Sequence, residues 1–179
     1  MKTTQILIAG FGGQGILFAG KFLAYKGLVE DKQVSWLPSY GPEMRGGTAN
    51  CNVILSETAV GSPIVTAADV LVAMNLPSLK KYENTVVPGG QIYLDSSLIS
   101  EKVTRTDVQV FYIPATQMAK QAEIDTLANM IIMGHLLENH PELSFEGTDA
   151  VLSKLVPPKK AALVELNRKA LLLGKEYKA

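Results

Sequence analysis

Thr4-Gln5-Ile6-Leu7-Ile8-Ala9-Gly10-Phe11-Gly12-Gly13-Gln14-Gly15-Ile16 joins an apolar run of strand length to the start of a helical pattern. Residues 4–9 read as a strand, and residues 16–27 as a helix whose small members Ala19, Gly20, Ala24 and Gly27 allow close packing on a sheet. Between them stands Gly10-x-Gly12-x-x-Gly15, a glycine turn in the place where a dinucleotide fingerprint requires it. Strand, glycine turn and helix form the opening unit of an α/β domain with a mainly parallel sheet. Glycines in such a turn let the main chain bend sharply and let a phosphate approach. The helix beyond offers unpaired N–H groups and the positive end of its dipole. Gly12, Gly13, Gln14 and Gly15 are therefore candidate phosphate-binding residues. The alternatives are packing against a neighbouring subunit, or a structural turn that holds no ligand.

The alternation of strand and helix patterns continues along the chain. Residues 33–37, 49–56, 69–74, 91–94 and 108–113 read as strands, with Pro88-Gly89-Gly90 as the turn into the fifth. Residues 126–138 are apolar nearly all round, which predicts a buried helix. Residues 160–177 repeat apolar side chains at Leu163, Leu166, Ala170, Leu173 and Tyr177, one face of a helix. That face docks either on its own domain or against another subunit. The expected fold is a single α/β domain over residues 1–179, a three-layer sandwich with a mostly parallel, Rossmann-like sheet.

Composition removes several classes of function. Seventeen basic residues balance seventeen acidic ones, so the electrostatic footprint of a nucleic-acid binder is missing, and no basic block exists to hold an anionic membrane. Apolar runs such as residues 6–9 are far too short to span a bilayer, and the N-terminus lacks the pattern of a secretory signal. A cytoplasmic location is expected. The single Cys51 leaves no internal disulfide and no cysteine-ligated cluster within the chain. Its default reading is a small buried hydrophobe. His135 and His140 are five apart, a poor spacing for a shared helical metal site, and His135 reads as a packed helix residue. No metal constellation and no nucleophile–base pair is apparent.

The nicotinamide fingerprint is incomplete. Its ribose-binding carboxylate belongs at the end of the second strand, where Leu37, Pro38 and Ser39 stand; Glu30 and Asp31 fall before that strand. The more distinctive segment follows: Ser39-Tyr40-Gly41-Pro42-Glu43-Met44-Arg45-Gly46-Gly47-Thr48-Ala49-Asn50. Glycines at 41, 46 and 47 permit close approaches, and Glu43 and Arg45 are charges that avoid burial unless paired. A binding loop explains this density of special residues; a rigid turn with a local ion pair is the plainer alternative.

Gly10-Phe11-Gly12-Gly13-Gln14-Gly15-Ile16 and Ser39-Tyr40-Gly41-Pro42-Glu43-Met44-Arg45-Gly46-Gly47, in that order, carry a resemblance. Asn75-Leu76-Pro77-Ser78, Pro88-Gly89-Gly90 and Asn129-Met130-Ile131-Ile132-Met133-Gly134 extend it. Over its whole length the chain resembles the gamma subunit of the 2-oxoacid:ferredoxin oxidoreductases, which oxidise 2-oxoacids to acyl-CoA. The second loop looks most like that of units acting on 2-oxoglutarate or branched oxoacids, with pyruvate less favoured. The resemblance implies that this chain contacts coenzyme A, while thiamine diphosphate, Mg and iron–sulfur clusters reside in partner subunits. It implies alpha and beta partners, with or without a ferredoxin-like delta subunit, and ferredoxin as acceptor of the complex. The chain alone is then catalytically inert.

Roles follow from the resemblance. Arg45 is a candidate for a bidentate contact to a CoA phosphate, or for an internal pair with Glu43. Tyr40 stacks on adenine, lines a pantetheine channel, or packs at an interface. Ser39, Glu43, Gly46 and Gly47 complete the same loop. Asn75, just past a strand, bonds either a ligand or the glycine loop beside it. Two further readings stand beside this one: a structural interaction subunit with no ligand, including the indolepyruvate type, and a free-standing nucleotide-binding oxidoreductase.

Overall fold

Side chains alternate across each strand, and here both halves of the alternation are apolar, so the sheet has to be covered on both sides. The computed structural model describes residues 2–40 and 48–178. Six strands, β1 (Thr3–Phe11), β2 (Gln33–Tyr40), β3 (Thr48–Ser56), β4 (Ala68–Ala73), β5 (Val86–Asp95) and β6 (Gln109–Ile113), form one sheet in the order β2-β3-β1-β4-β5-β6. Pairings β1–β4, β4–β5 and β5–β6 are parallel; β3 runs antiparallel to both β1 and β2. Five strands therefore point one way, and β3 alone opposes them.

The helices are α1 (Ile16–Val29), α2 (Leu76–Tyr82), α3 (Ala115–Gln121), α4 (Ala128–Asn139), α5 (Thr148–Leu155) and α6 (Ala162–Glu176). They are shared unequally between the faces. Ile6, Ile8, Val53, Leu55, Val70, Val72 and Tyr93 point into a large core with α1, α3, α4, α5 and α6. Leu7, Ile54, Leu71, Ala73, Ile92 and Leu94 point to the other face, under α2 and loop residues such as Val65 and Ile99. The result is three layers with one thick side.

As its composition predicts, α4 is a core helix, buried at every position from Ala128 to Leu137. It lies so close to α6 that a Cβ on Gly134 would overlap the carbonyl of Leu171, and one on Gly174 the carbonyl of Ile131. This contact turns α6 away from the expected face. Asn167, Ala170, Leu171 and Gly174 are the buried residues, whereas Leu163 and Leu166 are 38% and 39% exposed. Leu173 and Tyr177 do pack on the core.

Three boundaries also differ from the sequence reading. Gly10 and Phe11 belong to β1, because β3 supplies partners for them in Ala49 and Thr48. Ser39 and Tyr40 belong to β2 by the same logic, facing Asn50 and Ala49. Pro88-Gly89-Gly90 is a bulge inside β5 rather than a turn before it. Ala68 pairs with Val86 and Val70 with Gln91, so four residues of β5 stand against Asp69 alone. Gly89, at φ +82°, donates its N–H to the Asp107 carbonyl at 2.6 Å.

Candidate functional site

The sheet gathers the sequence-derived candidates at one edge, the one where the parallel strands end. Ala9 pairs with Asn50 of β3 and Ala73 of β4, and Asn50 in turn with Ser39. One row along, Gly10, Ala49 and Tyr40 lie side by side. With strands about 4.8 Å apart, the backbone of Tyr40 stands about 10 Å from Gly10. Glu43, Arg45, Gly46 and Gly47 lie outside the described residues. The segment that carries them leaves from Tyr40 and returns at Thr48, on this same edge.

The glycine turn occupies the middle of the edge. Gly13 has φ +96° and Gly15, the N-cap of α1, has φ +72°. Among the described residues no side chain caps α1, and no acidic residue stands in its first turn, so its positive end is not neutralised from within. Gly12 and Gly13 are exposed. Gln14 is committed internally. Its Oε1 accepts the N–H of Phe11 at 2.6 Å, and its Nε2 donates to the carbonyl of Met74 at 3.0 Å. Asn129 fastens the other side of the turn, Nδ2 donating to the Gly15 carbonyl at 3.0 Å.

The location has a topological meaning. From β1 the chain moves to α1 on the thick face, and from the adjacent β4 to α2 on the thin face. Neighbouring strands whose connections part in this way make the crevice where open α/β sheets bind ligands. Here the Gln14 side chain bridges β1 and β4 across that crevice. Gly10 makes room for it: a Cβ there would stand 2.6 Å from Gln14 Oε1 and 2.9 Å from Met74 Cβ.

Asn75 stands on the far lip of the crevice, 3% exposed. Its Oδ1 accepts the N–H of Ser78 at 2.8 Å and so caps α2; contact with the glycine loop runs through the Met74 carbonyl instead. Asn75 Nδ2 and Ser78 Oγ have no hydrogen-bond partner among the described residues.

Among the described residues, the carboxylate that dinucleotide binding needs is not at this edge. Glu30 sits past the C-terminal end of α1, which with 14 residues spans about 21 Å. There it pairs with the buried Lys26 and, at 2.9 Å, with Lys32. Burial works against the Glu30 charge, but these two lysines outweigh it and hold the carboxyl below its usual range.

Other groups weighed in the sequence are structural. Cys51 is fully buried beneath Gly20 of α1, and burial pushes its thiol up to about 12. His135 is buried among Tyr93, Phe111 and Tyr177, with Nδ1 3.0 Å from the carbonyl of Gly174. A carbonyl only accepts, so Nδ1 carries the proton. Asp95, not singled out in the sequence, ends β5 fully buried. It accepts from Ser97 N, Thr116 N and Thr116 Oγ1, tying β5 to the start of α3. A polar residue closing an apolar strand before Ser96-Ser97 was its only local signal.

Comparison with known proteins bears on the chain as a whole. The chain is 37% identical over 177 residues to the ketoisovalerate oxidoreductase subunit VorA of Methanothermobacter thermautotrophicus, matching 97% of this chain and 36% of that one. It thus spans about a third of the length of that relative. It is 32% identical over 179 residues to the 2-oxoglutarate synthase subunit KorC of Methanothermobacter marburgensis, covering 96% and 95% of the two chains. Among solved structures, a keto/oxoacid ferredoxin oxidoreductase gamma subunit from Geobacter sulfurreducens superposes with a TM-score of 0.85 at 30% identity, over 98% and 96% of the chains. The 2-oxoglutarate:ferredoxin oxidoreductase of Magnetococcus marinus, with 2-oxoglutarate, coenzyme A and succinyl-CoA bound, superposes with a TM-score of 0.88 at 26% identity. That match covers 98% of this chain and 31% of the other. Residues 5–177 match the family described as pyruvate ferredoxin/flavodoxin oxidoreductase, and the chain belongs to that family.

Proposed function

We propose that this chain serves as the gamma subunit of a 2-oxoacid:ferredoxin oxidoreductase, where it contacts coenzyme A and helps hold the subunits together. The observation that carries the reading is convergence: the start of α1, the exposed Gly12 and Gly13, and Tyr40 and Thr48, which flank the 41–47 segment, meet on one sheet edge. A helix start with no acidic residue in its own first turn suits a phosphate, and coenzyme A is a phosphate-rich substrate. The coenzyme A in the Magnetococcus marinus relative supports the same ligand class. In this reading Arg45 adds the charge for a bidentate phosphate contact, and Tyr40 an aromatic face for adenine or pantetheine. The complex would act in the cytoplasm and convert a 2-oxoacid, CoA and oxidised ferredoxin to acyl-CoA, CO2 and reduced ferredoxin. Thiamine, Mg and cluster chemistry fall to its alpha, beta and ferredoxin-like partners. The KorC and VorA relatives favour 2-oxoglutarate or a branched 2-oxoacid as substrate.

A specific observation supports a second reading, an assembly subunit without a ligand. Gln14 spends both ends of its side chain inside the fold and bridges the crevice in which a ligand would otherwise settle. One experiment separates the two. The native complex is purified with wild-type chain or with Arg45→Ala, and acyl-CoA formation and ferredoxin reduction are followed against CoA concentration. The CoA-binding reading expects an intact complex whose apparent affinity for CoA falls by about tenfold or more, as for the loss of a charged hydrogen bond. Unchanged CoA dependence with dissociating subunits would leave assembly as the role. Failure of a thiamine-containing partner to copurify with the wild-type chain would overturn both.

A further inference from the structure

Beside the glycine turn, on the thick face, a groove of about 390 Å³ opens between the start of α4 and the elbow that joins α5 to α6. Phe18, Leu127, Leu155 and Leu163 give it apolar walls. Asn129 and Asn167, 4% and 3% exposed, line it as well. Each carboxamide is held through its nitrogen, Asn129 on the Gly15 carbonyl and Asn167 on the Leu163 carbonyl at 2.7 Å. Each leaves its Oδ1 without a donor among the described residues. A buried acceptor without a donor is destabilising, because its lost hydration is not replaced. Both side chains line one groove wall with these oxygens turned under the surface, where a side-chain rotation would bring them to a polar complement from outside the chain.

The surroundings narrow the kind of complement. Lys160 lines the groove, and Lys154 and Lys159 are exposed on the same elbow; none of the three has an ion-pair partner among the described residues. Leu166, one turn beyond Leu163, carries the apolar surface outward past the groove. An occupant needs an apolar side chain, N–H donors beside it and a carboxylate at the rim, and it has to extend beyond a cavity of this size. A stretch of extended polypeptide meets all four needs. Further polypeptide to supply one is available in the relatives, since VorA and the Magnetococcus marinus oxidoreductase chain are about three times as long as this unit.

We propose that this groove receives an extended, acidic and apolar segment of another subunit of the same oxidoreductase. Its backbone N–H groups satisfy Asn129 and Asn167 after a small rotation of their side chains, and its carboxylate pairs with Lys160. The proposal rests on the assembly reading above and names the surface that performs it.

The test is made on the native complex. A photoreactive benzophenylalanine replaces Leu163 in the affinity-tagged chain; the purified complex is irradiated and the adducts are sequenced by mass spectrometry. The same probe at Leu28, 56% exposed at the far end of α1, sets the background. The expected result is an adduct from position 163 to one segment of another subunit, with Asp or Glu next to an apolar residue. Leu163→Asp combined with Lys160→Glu then lowers recovery of that subunit by about tenfold or more, because like charges and a buried carboxylate oppose docking. An intact complex that yields no such adduct, or only adducts to a small molecule or to this chain itself, overturns the proposal. So does full subunit recovery with the double variant. If the wild-type chain recovers no partner at all, the assembly reading itself fails, and that outcome is visible before any irradiation.

Discussion

Gly13 and Gly15 sit in the turn at the carboxyl edge with φ of +96° and +72°, whereas Gly134 and Gly174 sit inside ordinary helices. Gly13 is required by conformation alone; at Gly15 conformation is joined by the Asn129 carboxamide, which a Cβ would meet. Nothing lies within 4 Å of where a Gly13 Cβ would be, yet an L side chain is strained at that φ. The second pair is required by space: the backbone would accept any residue, but the carbonyls of Leu171 and Ile131 already stand where the Cβ atoms would go. Conformational glycines come as a local motif and can be read from neighbours in sequence. Steric glycines are 40 positions apart and acquire meaning only when α4 and α6 meet.

This contrast can be broken by substitution. Gly174→Ala should have the largest effect. In an exposed helix the change would stabilise by about 1 kcal/mol, but here backbone stands against backbone and overpacking dominates. We expect a net loss of about 3 kcal/mol or more, a drop in Tm of about 6–12 °C for a chain of this size. A variant that melts at or above the wild-type temperature would show that the helices separate freely.

Gly13→Ala comes next. Only backbone strain acts, so the loss should be about 1–2 kcal/mol in urea unfolding. Gly13→Asn should recover part of it, since Asn tolerates left-handed backbone. A loss as large as at Gly174 would mean that the turn is crowded after all.

The smallest effect expected is one of pH, and it sharpens the picture of the α4–α6 contact. His135, against Gly174, has its pKa lowered mainly by burial, against the opposing Gly174 bond and Glu138 charge. His140 is lowered by burial too, against Asp69 and Glu142. A base depressed in the folded state is protonated first in the unfolded chain. Its stabilisation is therefore complete above about pH 6.5 and declines as pH falls toward the lowered folded value. The carboxyl of Glu30 is lowered from 4.5, so its contribution is lost only in more acidic solution. Urea midpoints should thus fall between about pH 7.5 and pH 5.5 through the histidines, and a flat profile there would contradict their burial as neutral rings.

The parts of the fold that were legible in the sequence are those encoded over short range. The β1–turn–α1 unit, the strands and the apolar α4 follow from local period and turn chemistry. Helices α2, α3 and α5 escaped because seven or eight residues give too little periodicity to register. For α2 a capping Asn75 followed by Pro77 in the first turn was the available signal. Of the stripe expected on α6, Ala170, Leu173 and Tyr177 pack on the core, whereas the close contact at Gly174 left Leu163 and Leu166 outward.

The candidate site shows the same division. The glycine turn and the 39–50 segment stood out in the sequence because their residue types are unusual for their neighbourhood. That they share one sheet edge depended on β3 inserting antiparallel between β1 and β2, which no local pattern encodes. Gln14 looked like one more loop residue, and its bridge from β1 to β4 spans 60 positions. Asn129 was visible as part of a motif, but its tie to Gly15, 114 positions away, and its place beside Asn167 exist only after α4 has packed.

Taken alone, the sequence determined which segments extend, which coil and where the backbone must turn through left-handed space, because those choices are settled within a few residues. Only the tertiary structure decided the strand order, the closed crevice, the buried face of α6 and the groove beside α1. Each of these depends on which distant surfaces come within a few ångströms of one another, and close packing makes that choice for the chain as a whole.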